Sequence, residues 1–436
     1  MDPISIPSQS VPVLTSVDVC VAGGSCTGVF AAIRAAQAGC SVAIIEAQNR
    51  FGGTAAASQV SIWHSLFAMD NHTRIIGGLT QEVIDRLGKR NAITLETKPN
   101  PSIYAILNTE ELAIELDEMV LENHITPFLH SRVVNVWRDD DGRVAGVIVA
   151  GKGGLFAIKA RAFVDATGDA DLCAAAGLAL WRNQEVQPPT ACAKFSAWPQ
   201  FKEGIGTLIH NAAARYNLPE GMVWGAFSPA KNTYMLAGTK IPELDLSDGV
   251  SLTVAEIEGR RQLRAIQDLV ADAGYPRPIL EALPSLIGIR DTKHIQALYR
   301  VTTDDILYGR EFPDVIGRGT YRVDVHSQNP PGSRFLYLDG REVFISPHKK
   351  NESGHWRDPA LPTPPFYQIP LRSMIPAGVD NIITAGRMID AESGAFGALR
   401  VMVNLNQCGE AAGTVAAMAV AQDKPIPDIQ YRVDLP

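Results

Sequence analysis

The six cysteines of the chain include no C-x-x-C pair; they are Cys20, Cys26, Cys40, Cys173, Cys192 and Cys408. The common iron–sulfur clusters and redox-active dithiols need cysteines at such close spacings, so the sequence excludes the usual forms of both. The same absence separates the chain from enzymes that pass electrons through a paired disulfide.

Basic residues are outnumbered, with 39 Lys and Arg against 47 Asp and Glu, and they form no run. The formal net charge of −8 disfavours binding to nucleic acid or to an anionic membrane surface. Long apolar runs are also missing, because no stretch approaches the ~18 uninterrupted apolar residues of a membrane helix. Residues 1–16 lack the basic start and apolar core of a signal peptide, so we expect a disordered lead on a cytoplasmic protein.

Acidic residues are clustered at Asp139-Asp140-Asp141, where a calcium loop is one interpretation. The stretch lacks the downstream acid of such a loop, so a solvated hairpin turn is the better interpretation. We expect no metal site. The chain of 436 residues, 46% of them hydrophobic, is instead long enough for two interwoven domains with ample core.

The segment from Val17 to Glu46 predicts a strand, a tight turn, a helix and a second strand. The first strand, Val17 to Ala22, is short and apolar, and the second covers Ser41 to Ile45. The helix between them is expected over Cys26 to Ala38. This order is typical of a βαβ unit that binds a dinucleotide.

The glycine-rich turn supplies the residues that such a unit needs. Gly23 permits the turn, Gly28 lets the helix pack closely on the strand, and the helix N-terminus favours a pyrophosphate. Ser25 replaces the usual middle glycine, and its hydroxyl is expected to donate to the pyrophosphate after a small shift of the turn. Glu46 follows Gly28 by 18 residues, near the spacing at which an acid accepts hydrogen bonds from an unphosphorylated ribose. Cys26 is expected to be a packed spacer beside the phosphates.

Three further segments follow, namely Arg50 to Thr54, Ala166 to Asp169 and Asn381 to Arg387. In this order and spacing, the chain resembles the FAD-dependent oxidoreductases of the broad glutathione-reductase and p-hydroxybenzoate-hydroxylase superfamily. The resemblance covers nearly the whole chain. It extends to four more segments: Ile287 to Lys293, Tyr321 to His326, Ile369 to Ser373, and Gly397 to Met402.

The resemblance implies an α/β fold and one FAD per chain. A Rossmann-like FAD-binding domain, with a parallel sheet and an antiparallel meander, is expected over residues 17–180 and 366–436. A mainly antiparallel α+β substrate domain, residues 181–365, interrupts it. No second glycine fingerprint follows the first, so a dedicated NAD(P)H domain is not expected.

Several elements are predicted from local pattern. The meander comprises Ser131 to Arg138, Arg143 to Val149 and Gly154 to Ala160, and Ala162 to Ala166 returns to the main sheet. A helix from Thr253 to Ala273 has its apolar residues inward, namely Val254, Ile257, Leu263, Ile266 and Leu269. A closing helix, Ala398 to Val420, is expected by resemblance to direct its first turn at the flavin.

The resemblance also implies which residues contact FAD. They are Gly23, Ser25, Cys26, Thr27, Gly28, Glu46, Ala47, Arg50, Gly52, Gly53, Thr54, Val133, Thr167, Gly168, Asp169, Gly386, Arg387, Gly397, Ala398 and Leu399.

The leading hypothesis is oxidation of a small organic substrate by hydride transfer to flavin N5, with a protein base for the departing proton. Relatives often carry a His-Glu pair before the last helix, but Ser393 and Gly394 stand there. The histidine candidates for the base are therefore His64 and His326, and Asp324 could orient the second imidazole. The cationic candidates for gripping a carboxylate or orienting a carbonyl are Arg290 and Arg372.

Two alternatives remain open from the sequence. One is a single-component FAD monooxygenase that uses NAD(P)H and oxygen, and the other is a non-catalytic flavin-binding subunit. A covalent flavin tether at His64 is a further alternative for that residue. The substrate, the electron acceptor and the formation of a homo-oligomer are not determined by the sequence.

Overall fold

The computed structural model describes residues 10–434 except 97–103, 220–222, 231, 243, 329–330 and 347–350. The first part of the chain alternates strands and helices around one central sheet. Its elements are β1 (Val13–Ala22), α1 (Cys26–Gln37), β2 (Val42–Ile45), α2 (Gly53–Ala56), β3 (Ile62–Trp63), α3 (Gly78–Lys89), β4 (Ile93–Glu96), β5 (Tyr104–Leu107), α4 (Thr109–Glu122), β6 (Thr126–Phe128), β7 (Arg132–Arg138), β8 (Val144–Gly151), β9 (Gly154–Asp165) and α5 (Asp171–Ala175).

The middle of the chain is dominated by antiparallel strands. Its elements are β10 (Leu180–Trp181), β11 (Thr190–Ser196), α6 (Ile205–Ala212), β12 (Trp224–Phe227), β13 (Tyr234–Lys240), α7 (Gly249–Asp272), β14 (Ile279–Ala282), β15 (His294–Ile295), α8 (Thr303–Leu307), β16 (Val315–Gly319), β17 (Val323–Gln328), β18 (Pro331–Leu336), β19 (Arg341–Ile345) and β20 (Glu352–His355). They form two four-stranded antiparallel sheets, in the orders β12-β13-β11-β14 and β17-β18-β19-β20.

The last part of the chain returns to the central sheet. It contributes β21 (Tyr367–Pro370), β22 (Ile382–Thr384), α9 (Ser393–Leu399) and α10 (Met402–Gln422). The central sheet has the order β6-β2-β1-β9-β8-β7, and β22 also pairs with β9. The α/β fold class, with a parallel sheet and an antiparallel meander, is therefore confirmed.

Strand β9 corrects one prediction. The sequence suggested separate strands at Gly154 to Ala160 and Ala162 to Ala166, but β9 is continuous. Its first half pairs antiparallel with β8, its second half pairs parallel with β22, and β1 runs parallel along its other edge. One strand therefore carries the meander into the parallel sheet.

The first strand begins earlier than the sequence suggested. Residues 13–16 were assigned to a disordered lead, whereas Val13 already pairs with Ala157 of β9. Because β9 is long, its edge supplies backbone partners for these four extra residues. The rest of the proposed lead, residues 1–9, lies outside the described residues.

Helix α7 is longer than predicted and its inward face differs. It begins at Gly249, where the Asp248 carboxylate accepts hydrogen bonds from the Val250 and Ser251 amides at 2.9 Å. Of the five predicted inward residues, Leu263, Ile266 and Leu269 are buried, but Val254 and Ile257 are 49% and 60% exposed. The first turns of α7 extend beyond the core that its later turns cover.

The apolar core has separate parts. The residues of β11, β13 and α7 form a cluster of their own, together with Ile287 and Ile289. Core residues from 301 to 338, in contrast, pack with β1, α1 and α10. The predicted substrate segment is thus divided among several hydrophobic clusters.

Helix α10 packs closely on α1. A Cβ added to Gly409 would lie 2.1 Å from the Thr27 carbonyl oxygen, and one added to Gly413 would lie 2.0 Å from that of Ala31. The two glycines, four residues apart, let the backbones touch, and an ion pair of 2.6 Å between Arg34 and Glu410 joins the same helices. This contact fixes the position of the N-terminal turn of α1. In the described parts of the chain, no helix combines the length and the apolar character needed to cross a membrane.

Candidate functional site

A cavity of about 550 Å³ lies between the βαβ unit and the middle part of the chain. Its volume is within the range of ligand and cofactor sites. The lining includes the turn after β1, the end of β2, the segment after β9 and the N-terminus of α10. The carboxyl ends of parallel strands therefore meet side chains of the middle part of the chain here, as expected for a ligand site in a doubly wound fold.

The N-terminus of α1 opens into this cavity. Ser25 is the N-cap, and its hydroxyl accepts a hydrogen bond from the Gly28 amide at 3.3 Å. Because the hydroxyl proton is not used in that bond, Ser25 can still donate to a ligand. Cys26 also lines the cavity, but burial raises its pKa to about 12, as expected for a packed spacer.

Two glycines of the turn are required by close backbone approaches. Gly23 has φ of 103°, and a Cβ there would lie 2.3 Å from the Ala166 carbonyl oxygen. A Cβ at Gly28 would lie 1.9 Å from the Gly23 carbonyl oxygen. Gly28 therefore does not line the cavity, and it acts through packing of helix against turn.

Glu46 ends β2 at the cavity wall. One carboxylate oxygen accepts from the Gly24 amide at 2.6 Å, and the other accepts from the Gln48 amide at 2.7 Å. Burial raises the pKa of this carboxyl, and the backbone hydrogen bonds oppose that rise. Each oxygen keeps a second acceptor site, so the carboxylate can also accept from ribose hydroxyls.

The segment after β22 places a cation at the cavity. Arg387 donates to the Ile289 carbonyl and to the Asp169 carboxylate, both at 2.8 Å. Its Nε is buried and has no hydrogen-bond partner among the described residues. Gly168 (φ 85°) brings the backbone close to this guanidinium, because a Cβ there would lie 2.8 Å from Arg387 Nη2.

These donors and acceptors fit a dinucleotide. The helix N-terminus and the Arg387 guanidinium suit a pyrophosphate, and Glu46 suits an adenosine ribose. A family model described as FAD dependent oxidoreductase matches residues 18–433.

The chain belongs to the FAD-dependent oxidoreductases.

One solved structure supports this fold, and a second is similar at a lower TM-score. A geranylgeranyl bacteriochlorophyll reductase-like protein from Thermoplasma acidophilum is similar at 12% identity and a TM-score of 0.50, over 94% of this chain and 80% of that one. The p-nitrophenol 4-monooxygenase of Pseudomonas putida is 11% identical with a TM-score of 0.46, over 95% and 83%. No curated protein matches the chain.

This oxidoreductase uses FAD, and most of the residues predicted to contact FAD line the one cavity. Those that do are Gly23, Ser25, Cys26, Thr27, Glu46, Ala47, Gly52, Gly53, Thr54, Val133, Thr167, Gly168, Asp169, Gly386 and Arg387. Arg50 is a correction, because it turns away from the lining and forms an ion pair of 2.5 Å with Glu110 at the start of α4.

The closing helix is a second correction. Val401 adopts an extended conformation (ψ 142°) and separates α9 from α10. Gly397, Ala398 and Leu399 therefore lie in α9, where they are buried against β17 and outside the lining. The N-terminus that opens into the cavity is that of α10, at Val401 and Met402.

His64, predicted as a base, lines the cavity after β3. Its ring centroid lies 5.3 Å from that of Tyr321 and 6.4 Å from that of Trp224. Through Trp224 it also borders an apolar cluster that includes Cys192 and Ala237. His64 therefore stands between an apolar wall and the polar end of the cavity.

His326 lines the same cavity, yet both ring nitrogens face protein groups. Nδ1 lies 2.9 Å from the Ser333 hydroxyl, and Nε2 lies 3.2 Å from Asp324 Oδ1. Lys240 donates to the Ser333 oxygen at 3.1 Å, so the Ser333 proton is directed to Nδ1. Burial, aided by the charges of Arg290 and others, lowers the pKa of His326 well below its ordinary value, so the ring is neutral.

Asp324 is the anionic partner of this group. Its Oδ2 accepts a hydrogen bond from the Tyr321 hydroxyl at 2.8 Å and lies 3.4 Å from Arg400 Nη2. Burial alone would raise its pKa, but the charges of Arg400 and Arg322, together with the Tyr321 hydrogen bond, hold the pKa of Asp324 well below its usual range.

The two arginines predicted to bind the substrate, Arg290 and Arg372, lie in different places. Arg290 lines the cavity, whereas Arg372 is a correction, because it pairs with Asp314 at 3.0 Å and lies over the Tyr299 ring, outside the lining. Sequence reasoning did not select Arg322 and Arg400, which line the cavity. Both belong to segments that carry the family resemblance, and that was the available signal.

Proposed function

We propose that the enzyme oxidises a small organic substrate by hydride transfer to flavin N5. Bound FAD supplies the two-electron acceptor. The observation that carries the proposal is the shared lining, in which residues of the dinucleotide site and His64, Tyr321 and Asp324 border one cavity. A substrate in this cavity lies beside both the cofactor and groups that can move a proton.

The residues that would hold FAD are inferred from the hydrogen-bond donors and acceptors of the cavity wall. The amides at the start of α1 and the Arg387 guanidinium would bind the pyrophosphate, and Glu46 would bind the ribose. The N-terminus of α10 presents the positive end of a helix dipole to the cavity, which favours negative charge on the ring system.

His64 is proposed as the group that takes the substrate proton. FAD would accept the hydrogen with its electron pair, and the His64 imidazole would accept the proton that the same substrate loses. His326 is disfavoured in this role because Ser333 and Asp324 face its two nitrogens. We assign His326 the role of holding the Asp324 carboxylate in position.

The variant His64→Gln tests this role by anaerobic mixing with candidate substrates. It keeps bulk and hydrogen bonding but removes basicity, so FAD should stay bound while flavin reduction slows by about 10²-fold or more. His210→Gln, an exposed histidine on α6, is the matched control and should reduce at the wild-type rate. An unchanged rate in His64→Gln would return the base role to His326.

The same protein preparation also tests two alternatives, a monooxygenase and a covalent flavin tether. Bleaching by NADPH, with no bleaching by any substrate alone, would favour a monooxygenase. Release of all flavin on acid precipitation of the wild-type protein would exclude a covalent tether at His64.

A further inference from the structure

Three arginines from distant parts of the chain line the cavity together with His64 and His326. Arg290 precedes β15, Arg322 precedes β17 and Arg400 separates α9 from α10. Asp324 lies among them and contacts Arg400. Arg290, in contrast, donates to neutral oxygens at 2.6 Å, those of Pro188 and the Thr190 hydroxyl.

The other acids of the lining are engaged elsewhere. Asp169 pairs with Arg387 at 2.8 Å, Asp171 lies 4.0 Å from Arg132, and Asp248 caps α7. Glu46 binds backbone amides at the opposite, ribose-binding part of the site. One carboxylate, that of Asp324, therefore faces three guanidinium groups.

Two hydrogen-bond donors of this cluster also lack an acceptor among the described residues. The Nε atoms of Arg322 and Arg400 are buried and have no partner among the described residues. Instead, Arg322 lies over the rings of Tyr321 and Phe335, at 5.1 and 4.3 Å. A buried cation without a counter-charge is unfavourable, and a buried donor without an acceptor adds to that cost.

We propose that this end of the cavity binds the carboxylate of the substrate, so that the enzyme acts on an organic acid in its anionic form. The inference rests on the proposed oxidation and names its substrate class. Guanidinium forks match carboxylates in shape and charge. An anion between Arg290, Arg322 and Arg400 would supply the missing negative charge to guanidinium groups that line the cavity.

The ionisation of Arg290 supports the same assignment, whereas Tyr321 and Asp324 outweigh burial and raise the pKa of Arg322. Burial, followed by the charge of Arg400, lowers the pKa of Arg290 to about 10. Burial likewise lowers the pKa of Lys240, which contacts Ser333 behind His326, to about 8. Since His326 is neutral and Asp324 is the one nearby anion, the cluster keeps a net positive charge at neutral pH.

The body of the acid would meet a different surface. His64 lies between Tyr321, whose hydroxyl contacts Asp324, and Trp224 of the apolar wall. An acid held by its carboxylate would therefore present its carbon chain or ring to His64 and the apolar side chains.

A spectral titration of the oxidised holoenzyme tests the proposal without turnover. The probes are succinate and phenylacetate, each compared with its uncharged amide. We expect the carboxylates to perturb the visible flavin band saturably and the amides to bind about tenfold or more weakly. The proposal is overturned if the amides bind equally well or if neither carboxylate perturbs the band.

Charge-removing variants locate the effect. Arg322→Gln and Arg400→Gln should weaken carboxylate binding about tenfold or more, at unchanged FAD content. Arg372→Gln removes the same charge outside the cavity and should bind as the wild type does. If Arg322→Gln and Arg400→Gln lose FAD, the comparison of acids with amides on the wild-type protein still decides.

The two proposals fail in different ways. Carboxylate binding without flavin reduction by any organic acid would overturn the oxidation and leave the anion site standing. Reduction by a neutral substrate at a rate that Arg322→Gln does not change would overturn the anion site and leave the oxidation standing.

Discussion

Glu46 holds its position through two backbone amides, those of Gly24 and Gln48, and its remaining acceptor capacity faces the cavity. We expect Glu46→Gln to weaken FAD binding by about 1.5–3 kcal/mol, or roughly 10–100-fold, because a charge-assisted hydrogen bond to the ribose is lost. Fluorescence titration of the apoprotein with FAD measures this change.

Arg50 provides the control. It lies next in the chain to the cofactor-binding turn, but its exposed ion pair with Glu110 is worth ~0–1 kcal/mol and lies outside the cavity. Arg50→Ala should therefore keep the FAD dissociation constant within a few-fold. If it weakened binding as much as Glu46→Gln, the assignment of both residues would be wrong.

At the residue scale, most of the residues predicted to bind the dinucleotide line the cavity, whereas the sequence did not define the polar end of that cavity. Gly23, Ser25 and Glu46 could be predicted because their proposed roles depend on local spacing. Arg372 and Arg322 could not be told apart, because an arginine becomes a ligand or an ion-pair partner through tertiary packing. Arg372 is an ion-pair partner because it pairs with Asp314, which lies 58 residues earlier in the chain.

At the scale of elements, the glycine contact between α1 and α10 controls both stability and the phosphate site. Gly413→Ala places a methyl group 2.0 Å from the Ala31 backbone oxygen, so the two helices must separate. We expect a loss of about 1–3 kcal/mol in the free energy of unfolding and weaker FAD binding, measured by denaturant unfolding and by titration.

Gly206→Ala is the matched control within a helix. An added Cβ at Gly206 in α6 meets nothing within 4 Å, so alanine should be neutral or stabilise by up to about 1 kcal/mol. Equal midpoints for the Gly413 and Gly206 variants would show that the close helix contact is not needed.

Elements with strong local signals were predicted to within a few residues, as α1 shows. The junction of α9 and α10 was missed because Arg400-Val401 carries neither glycine nor proline. At this junction Arg400 makes a contact distant in sequence, donating to the Asp324 carbonyl at 3.2 Å. The exposed start of α7 was missed because periodicity does not show where the partner of a helix ends.

At the scale of the whole molecule, the cavity borders several hydrophobic clusters, among them one around β1 and α10 and one around β11 and α7. FAD bound there should stabilise both together. At a free concentration 100 times its dissociation constant, FAD should add about 2.7 kcal/mol to the free energy of unfolding. Thermal unfolding of apoprotein and holoenzyme at several FAD concentrations measures this linkage.

The variant Glu46→Gln serves as the internal comparison. It should need about 10–100-fold more FAD for the same rise in unfolding temperature, because only its dissociation constant changes. An unfolding temperature that does not depend on FAD in the wild-type protein would contradict binding between the two clusters.

Cys40, in the turn after α1, differs from the other five cysteines, which are buried. Burial raises the pKa of Cys20, Cys26, Cys192 and Cys408 to about 12 and that of Cys173 well above its ordinary value. Burial and then the charge of Asp18 raise the pKa of Cys40 as well, so access distinguishes the thiols: the five are shielded from an alkylating reagent, whereas Cys40 is partly exposed. A maleimide dye or spin label should therefore attach first at Cys40, which gives the unmodified enzyme a single reporter position without cysteine replacement.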